Sequence, residues 1–566
     1  MLLLAFEIGY PQLSMQQPAA SVHARARSLW ERPRPLMLLA GVLAALAFVG
    51  TIGFSFVFDD EVVIVNNPTV HAWRYVPQYF TGVFGSHLGP HIISYYRPLF
   101  LLWFRIHHAL FGLNPLWYHL SNVLVHALVT MLVFSTAVRL TRDNRLAFVA
   151  ALFFALHPVH VENVAWISCS SETLLALAML GAFVSWLKSR EQRSRCWLVL
   201  SVLLYAAAVL EKEPGIVLPG LVFLYVLFYA QQEQAIFPRI RAAVAATLPF
   251  WPVALCYVLI RAAATKGLMP HSTTALSFKT MVLTWPSMLA FYGQHLLYSL
   301  DTSTFYDFFA VTTPGLRNFV LPLIGLVAFL TLIAIWAHRS VGHRREILFC
   351  TVWMFLTIAP ALYIRIFLPN DYVHPRYLYM PSVGFVVLLA VFLNTVTRHL
   401  SSSARTTILC AVCVLMFFGT FTEQSHWRNN LLLYGRSVQI APHNPVARNN
   451  FANELLARRY IPEAISQYEQ ILTDHPDFWL ANYNLGRAFA QTNSPDRAIA
   501  YLDRAITILP TDADEYYFRA VANLQLGKRD DALRDLQQAV NLAPNNASYR
   551  SALDRLRAGT QPDSKP

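Results

Sequence analysis

Three carboxylates stand together at Asp59-Asp60-Glu61, directly after an apolar run that ends at Phe58. Adjacent acids at an apolar boundary repel one another and lose hydration, which predicts a raised pKa in at least one of them and a group suited to taking a proton. A solvated acidic flank of a membrane helix is the plainer alternative, although acids on the outer side contribute little to topology. A second cluster is His157-Pro158-Val159-His160-Val161-Glu162. These side chains could bind a metal, orient a carboxylate or donate to a phosphate. Pro158 interrupts the helix that would present both rings to one ion, and interfacial capping explains the residues equally well. Three cations complete the set: Arg97 in Tyr96-Arg97-Pro98-Leu99, Lys212 in Glu211-Lys212-Glu213-Pro214, and Arg376 in His374-Pro375-Arg376-Tyr377. A guanidinium just ahead of an apolar run, flanked by Tyr377 and Tyr379, suits a phosphate held at a lipid boundary, because its fork bonds two oxygens. Snorkelling to the headgroups within an aromatic belt is the competing explanation.

The elements that must position these groups are mostly membrane helices. Of 566 residues, 55% are hydrophobic and 13% charged, about half the charge of an ordinary soluble chain. Nearly all of the formal charge of +12 sits before Trp427, where 28 basic residues face 17 acidic ones; beyond it the balance is 16 to 15. Basic residues flanking apolar spans orient membrane helices, whereas nucleic-acid binding needs a basic face on a folded domain, so no nucleic-acid partner is expected. Six cysteines lie almost wholly in apolar runs without disulfide or zinc spacing, and Cys410-x-x-Cys413 reads as helix packing.

Apolar runs of helical length occur at about 36–58, 116–138, 146–157, 171–187, 196–210, 215–230, 242–260, 318–337, 347–364, 381–397 and 406–422. This predicts about eleven spans. Arg139, Lys188, Arg239, Arg339 and Arg398 mark alternate loops, and with the N-terminal segment 1–35 they are expected on the cytoplasmic side. Most carboxylates then fall outside, in loops that include the long segments 59–97 and 261–317. The apolar stretch 99–112 beside those segments is expected to lie along the interface, and 281–300 to be re-entrant or to lie along the outer interface.

From Trp427 the period changes. Pro442, Pro476, Pro510 and Pro544 recur every 34 residues, in register with Ala464, Ala498 and Ala532 and with small residues Gly486 and Ala520. Such a register describes tetratricopeptide helix pairs, a half repeat followed by three full ones over 427–558, with a tail at 559–566. Asn450 and Asn484 occupy equivalent first-helix positions, where a side-chain amide can meet an extended peptide or simply face solvent. The expected fold is therefore all-α: a polytopic helical membrane domain over 36–426, then an α-solenoid.

Several motifs in order resemble one family: Phe58-Asp59-Asp60, Tyr96-Arg97-Pro98-Leu99, Asn114-Pro115 with His119, Asn122 and His126, Leu156-His157-Pro158-Val159-His160-Val161-Glu162, Lys212-Glu213-Pro214-Gly215, and Arg376-Tyr377 through Pro381-Ser382-Val383-Gly384. The chain is identified as a bacterial-like member of the transmembrane and tetratricopeptide-repeat O-mannosyltransferases, in the GT-C class. The resemblance implies a GT-C fold and an inverting transfer of mannose or a similar hexose from a polyprenyl-phosphate donor to a hydroxyl, in proteins Ser or Thr, on the non-cytoplasmic face. It departs at Cys169-Ser170-Ser171-Glu172, where the family carries an arginine. On this reading Asp59 or Asp60 is the base, and Arg376 with Arg97 and Lys212 holds the donor phosphate. Glu61, His157, His160, Glu162 and Tyr377 support the site, and Asn450 and Asn484 bind the acceptor polypeptide. No cofactor is required; a divalent metal, if any, would use His157, His160 and Glu162. A bacterial inner membrane, with the repeats extracytoplasmic, is the expected location. The alternatives are a catalytically silent membrane scaffold and a polymerase or ligase moving whole glycans from an undecaprenyl carrier.

Overall fold

The structure, a computed structural model, describes residues 29–82, 95–229, 235–265, 276–367 and 371–559. The expectations for residues 1–28 and 560–566 lie outside the described residues. Among those described, the chain is helical throughout, without β-strands. It divides into two units, one of residues up to Thr302 with Phe308–Asn429, the other of Ser303–Asp307 with Asn430 onward.

In the first unit each of the eleven expected apolar runs lies in or overlaps a helix. Among the described residues, seven helices are long and apolar enough to cross a membrane, or eight if the bent pair Asn144–Leu156 and Pro158–Ala165 counts as one span. Arg195–Glu211, Glu213–Tyr229 and Pro381–Thr397 are shorter, each covering 17 residues. At 1.5 Å per residue each reaches about 25 Å, less than the ~30 Å hydrocarbon core. The eleven expected runs thus comprise seven long helices, one bent pair and three helices at the short end of the spanning range, where breaks such as the extended Lys212 end the apolar rods. The two stretches not expected to span, 99–112 and 281–300, lie on helices Pro98–Phe111 and Phe278–Leu297, the latter with Pro286 inside.

Local chemistry sets the ends. Asn114 caps the 27-residue helix Pro115–Thr141 by accepting from the Leu116 N–H, with Pro115 at the first helical position where its missing N–H costs nothing. Asp143 accepts from Arg145 and Leu146 to start the next helix. That helix stops where Pro158 drives His157 into an extended conformation, and the chain bends by 50°. The turn sends 158–173 back into the protein, where every residue is buried. Gly384 lets Pro381–Thr397 approach Arg344–Ile358 closely, since an added Cβ would stand 2.6 Å from the Cys350 carbonyl oxygen. Phe134, Phe153, Phe154, Phe183 and Trp353 fill the core between these helices.

The second unit consists of helix Asn430–Ile440, three helix pairs from Pro445–Ala457 to Arg529–Leu542, and the closing helix Ala547–Arg557. Ala464, Ala498 and Ala532 are fully buried at the helix crossings. At Gly486 an added Cβ would lie 2.6 Å from Leu502 Cγ, which explains the small residue in the repeat register.

Candidate functional site

The first helical run ends at Gly53, and Phe58 then adopts a left-handed φ of 54°. A bulky residue in that conformation is strained and persists only where its surroundings hold it. Here the Phe58 ring packs 5.3 Å from Trp166. The turn separates the two aspartates. Asp60 points inward and is fully buried; its Oδ1 accepts from the Ser168 N–H at 2.8 Å and the Ser168 hydroxyl at 2.5 Å, and its Oδ2 from the Val57 N–H at 3.1 Å. Burial raises its carboxyl to about 7 against the lowering effect of those bonds. Asp59 is exposed. The protein around it still strips enough hydration to lift its carboxyl to about 6, opposed by the charge of Arg376 and aided by Asp371. Glu61 is exposed at the start of a π-helical turn, Glu61–Val65.

Each candidate cation is paired with a carboxylate. Arg376 Nη1 donates to Glu162 Oε1 at 2.6 Å, and the Arg376 backbone N–H donates to Glu162 Oε2 at 3.0 Å. Asn163, beside Glu162, donates to the Arg376 carbonyl at 2.9 Å. The guanidinium also lies 5.4 Å from the Trp166 ring centre and 5.2 Å from that of Tyr377. Its Nε and Nη2 make no hydrogen bond among the described residues, so one edge of the fork stays available. Arg97 donates twice to Glu213 Oε2, at 3.1 and 2.9 Å, and stacks over Tyr95. Lys212 donates to Glu172 at 2.5 Å, with both side chains buried. Glu172 belongs to the segment that departs from the family motif, and here it neutralises Lys212.

The two histidines are committed elsewhere. His157 lies between the Leu296 carbonyl, 3.0 Å from Nε2, and the Val159 N–H, 3.2 Å from Nδ1. His160 Nδ1 meets the Phe154 carbonyl at 2.8 Å and Nε2 the Ser382 hydroxyl at 2.9 Å. With Glu162 bound to Arg376, the expected metal set has no lone pairs converging on one point, and no group of three ligands occurs among the described residues. Tyr377 packs on Phe367 at 5.9 Å. In the repeats Asn484 is buried and donates to Asn449 at 3.0 Å, so its amide serves the array itself; Asn450 is half-buried.

The structure thus brings Asp59, Arg376, Glu162 and Tyr377 together, with Asp60 behind them. Residues not singled out from sequence join the same neighbourhood: Ser168, which holds Asp60, and Asp371 and His374, whose charges act on Asp59. Their signal was position alone, in the same segments between apolar runs as the chosen residues.

Residues 41–263 match the family model described as dolichyl-phosphate-mannose-protein mannosyltransferase, and 449–513 and 485–558 match tetratricopeptide-repeat models. Protein O-mannosyl-transferase TMTC1 of Homo sapiens is 30% identical over 502 residues, covering 79% of this chain and 56% of that protein. Protein O-mannosyl-transferase TMTC3 of Homo sapiens is 26% identical, covering 84% and 55%. The chain spans about half the length of these curated relatives. Among solved structures, the apo oligosaccharyltransferase of Archaeoglobus fulgidus aligns at 12% identity and a TM-score of 0.37, covering 70% of this chain and 56% of that one, too distant to bear on the site. A mannosyltransferase-type segment, helical repeats behind it and relatives that align across both place this chain in the family of transmembrane and tetratricopeptide-repeat O-mannosyltransferases.

Proposed function

We propose that the chain is an inverting membrane glycosyltransferase that moves mannose or a similar hexose from a polyprenyl phosphate to a Ser or Thr hydroxyl of a polypeptide on the non-cytoplasmic face. The observation that carries this reading is the division of labour at Asp59-Asp60. One aspartate is tied into the fold, while its neighbour stands open beside Arg376 with a carboxyl near 6. As the acceptor oxygen attacks the anomeric carbon, the carbon–oxygen bond to the lipid phosphate breaks and the phosphate leaves with the electron pair. Asp59 takes the hydroxyl proton. The free edge of Arg376 offsets the charge gathering on the departing phosphate, and Glu162 fixes that edge in place. Arg97 and Lys212, already paired, shape the surrounding field.

An apolar cavity of about 620 Å³ is lined by Met37, Leu99, Trp103, Met131, Leu204 and others, with Glu211, next in sequence to Lys212, among its lining residues. Its lining suits an isoprenoid chain. Basic loops on alternate sides support an outward-facing site, and the repeats suit recruitment of the acceptor polypeptide. The test is transfer by the purified chain in lipid nanodiscs, from polyprenyl-phosphate mannose to a Ser/Thr peptide, read as a hexose gain by intact mass. Active wild type with inactive Asp59→Asn supports the enzyme; an inactive wild type that still captures partners through the repeats supports the scaffold.

A further inference from the structure

The helix Ser402–Gln424 buries no residue over 402–418, yet Thr420, Glu423 and Gln424 in its last turns are buried, as is Trp427 just beyond them. Apolar side chains along 402–418 suit lipid, whereas polar side chains enclosed by protein need partners. Each finds one in a different segment of the first unit. The Thr420 hydroxyl donates to the Leu156 carbonyl at 2.8 Å, and the Gln424 amide donates to the Ala47 carbonyl at 3.4 Å. Glu423 Oε2 accepts from the Thr302 N–H at 3.1 Å and from its hydroxyl at 2.6 Å. The foot of the helix is thereby fixed, and the residues after it reach the site. The Trp427 ring stacks on Trp166, with centres 6.0 Å and planes 22° apart. The Arg428 carbonyl accepts at 3.2 Å from the N–H of Ser55, just ahead of Phe58 in the chain.

Trp166 joins these contacts to the chemistry. Its ring lies 5.3 Å from Phe58 and 5.4 Å from the Arg376 guanidinium. On either side of it in the chain, Glu162 holds Arg376 and Ser168 holds Asp60. The left-handed Phe58 needs outside support to persist, and the indole that packs on it is itself backed by Trp427. We propose that Trp427 is a positioning residue of the transfer site: by backing Trp166 it keeps the Asp59 turn and the Arg376 guanidinium in register. It acts through Trp166 and touches neither sugar nor phosphate. The proposal rests on the reading of Asp59 as base and Arg376 as phosphate grip. Without the backing ring Trp166 is free to tilt, and a shift of about 1 Å in a reacting group costs about 10²-fold in rate. The separation also has an electrostatic signature. Arg376 lowers the Asp59 carboxyl against the effect of burial, with His374 acting in the same sense and Asp371 in the opposite one. Moving the guanidinium away therefore lets that carboxyl rise.

The experiment uses the full chain in nanodiscs and compares wild type with Asp59→Asn, Trp427→Ala, Trp427→Leu and Trp427→Phe, rates being normalised to the monodisperse fraction. Trp427→Ala is expected to lower kcat about 10–100-fold. It should also move the acid limb of kcat/KM, set by ionisation of Asp59, upward from about 6. Trp427→Phe keeps a stacking face and should recover most of the rate and the wild-type limb. A purely structural role would leave fewer folded molecules with the same kcat and the same limb. An unchanged kcat, a lowered kcat with an unshifted limb, or a phenylalanine variant as impaired as the alanine one overturns the proposal. Should Trp427→Ala not fold, Trp427→Leu, which fills more of the space without a flat face, is read in the same way. An acid limb that persists in Asp59→Asn removes the base assignment itself, whereas a limb lost there beside an unshifted one in Trp427→Leu removes the positioning role alone.

Discussion

Asp59 and Asp60 are chemically identical neighbours, and the structure assigns them opposite behaviour under one substitution. Asp59→Asn removes a carboxylate with an open face, and a general base is worth about 10²–10⁴ in turnover, or about 2.7–5.4 kcal/mol of barrier. With its carboxyl near 6, Asp59 is about nine-tenths ionised at pH 7 and about one-tenth at pH 5. Because the ionised form is the active one, kcat/KM should fall about tenfold per pH unit below 6, and the limb should vanish in Asp59→Asn. Asp60→Asn keeps an oxygen for Ser168 but turns an amide N–H₂ towards the Val57 N–H, donor against donor. Its cost is stability, roughly 1–3 kcal/mol for the lost acceptor. The assay is initial-rate transfer from labelled polyprenyl-phosphate mannose across pH 5–8, with thermal unfolding measured on the same samples. If Asp60→Asn abolishes turnover at wild-type stability while Asp59→Asn retains both turnover and the acid limb, the reasoning is refuted.

Asp60 also predicts a pH effect on folding: its folded value near 7 stands above the ordinary 3.8, so the stability it lends is fully present below 3.8 and lost as pH rises through 7. Wild type should therefore lose melting temperature between pH 5 and 8 relative to Asp60→Asn, and parallel curves would count against the buried carboxyl. Arg376→Gln leaves Glu162 buried without its cation and should destabilise by about 3–5 kcal/mol. The double variant Arg376→Gln/Glu162→Gln should regain stability but not turnover; regained turnover would take the guanidinium out of phosphate binding. Leu204→Trp should fill the apolar cavity and raise KM for a long-chain donor several-fold with little effect on a short-chain one. Equal effects on both donors would mean that the chain lies elsewhere. Gly486→Ala, which drives a methyl into Leu502, should cost about 1–3 kcal/mol of stability, seen as an earlier loss of helical circular dichroism.

What could be foreseen from sequence, and what could not, divides along the distance over which residues interact. The repeats were legible because each 34-residue unit carries its own signals: a proline that stops a helix, an alanine at the crossing and, at position 486, a glycine where a methyl would clash. The bend at His157-Pro158 was legible for the same reason, since proline acts on the residue beside it. Helix length was less so, because hydropathy records apolar character and not where a rod breaks. Lys212 adopts an extended conformation between two apolar runs and ends both rods short. The site depended on pairings that spacing does not encode. Glu162 meets Arg376 across 214 residues of chain, and Glu213 meets Arg97 across 116. Read singly, those arginines look like uncommitted phosphate grips. Once each is matched to a carboxylate, the charges largely cancel in pairs, and the groups left with chemical freedom are Asp59 and the open edge of Arg376. A site arranged this way gains little from total positive charge. It depends on where one guanidinium edge is held, which is why Glu162, fully buried and bonded to that guanidinium, governs the geometry as firmly as Arg376 does.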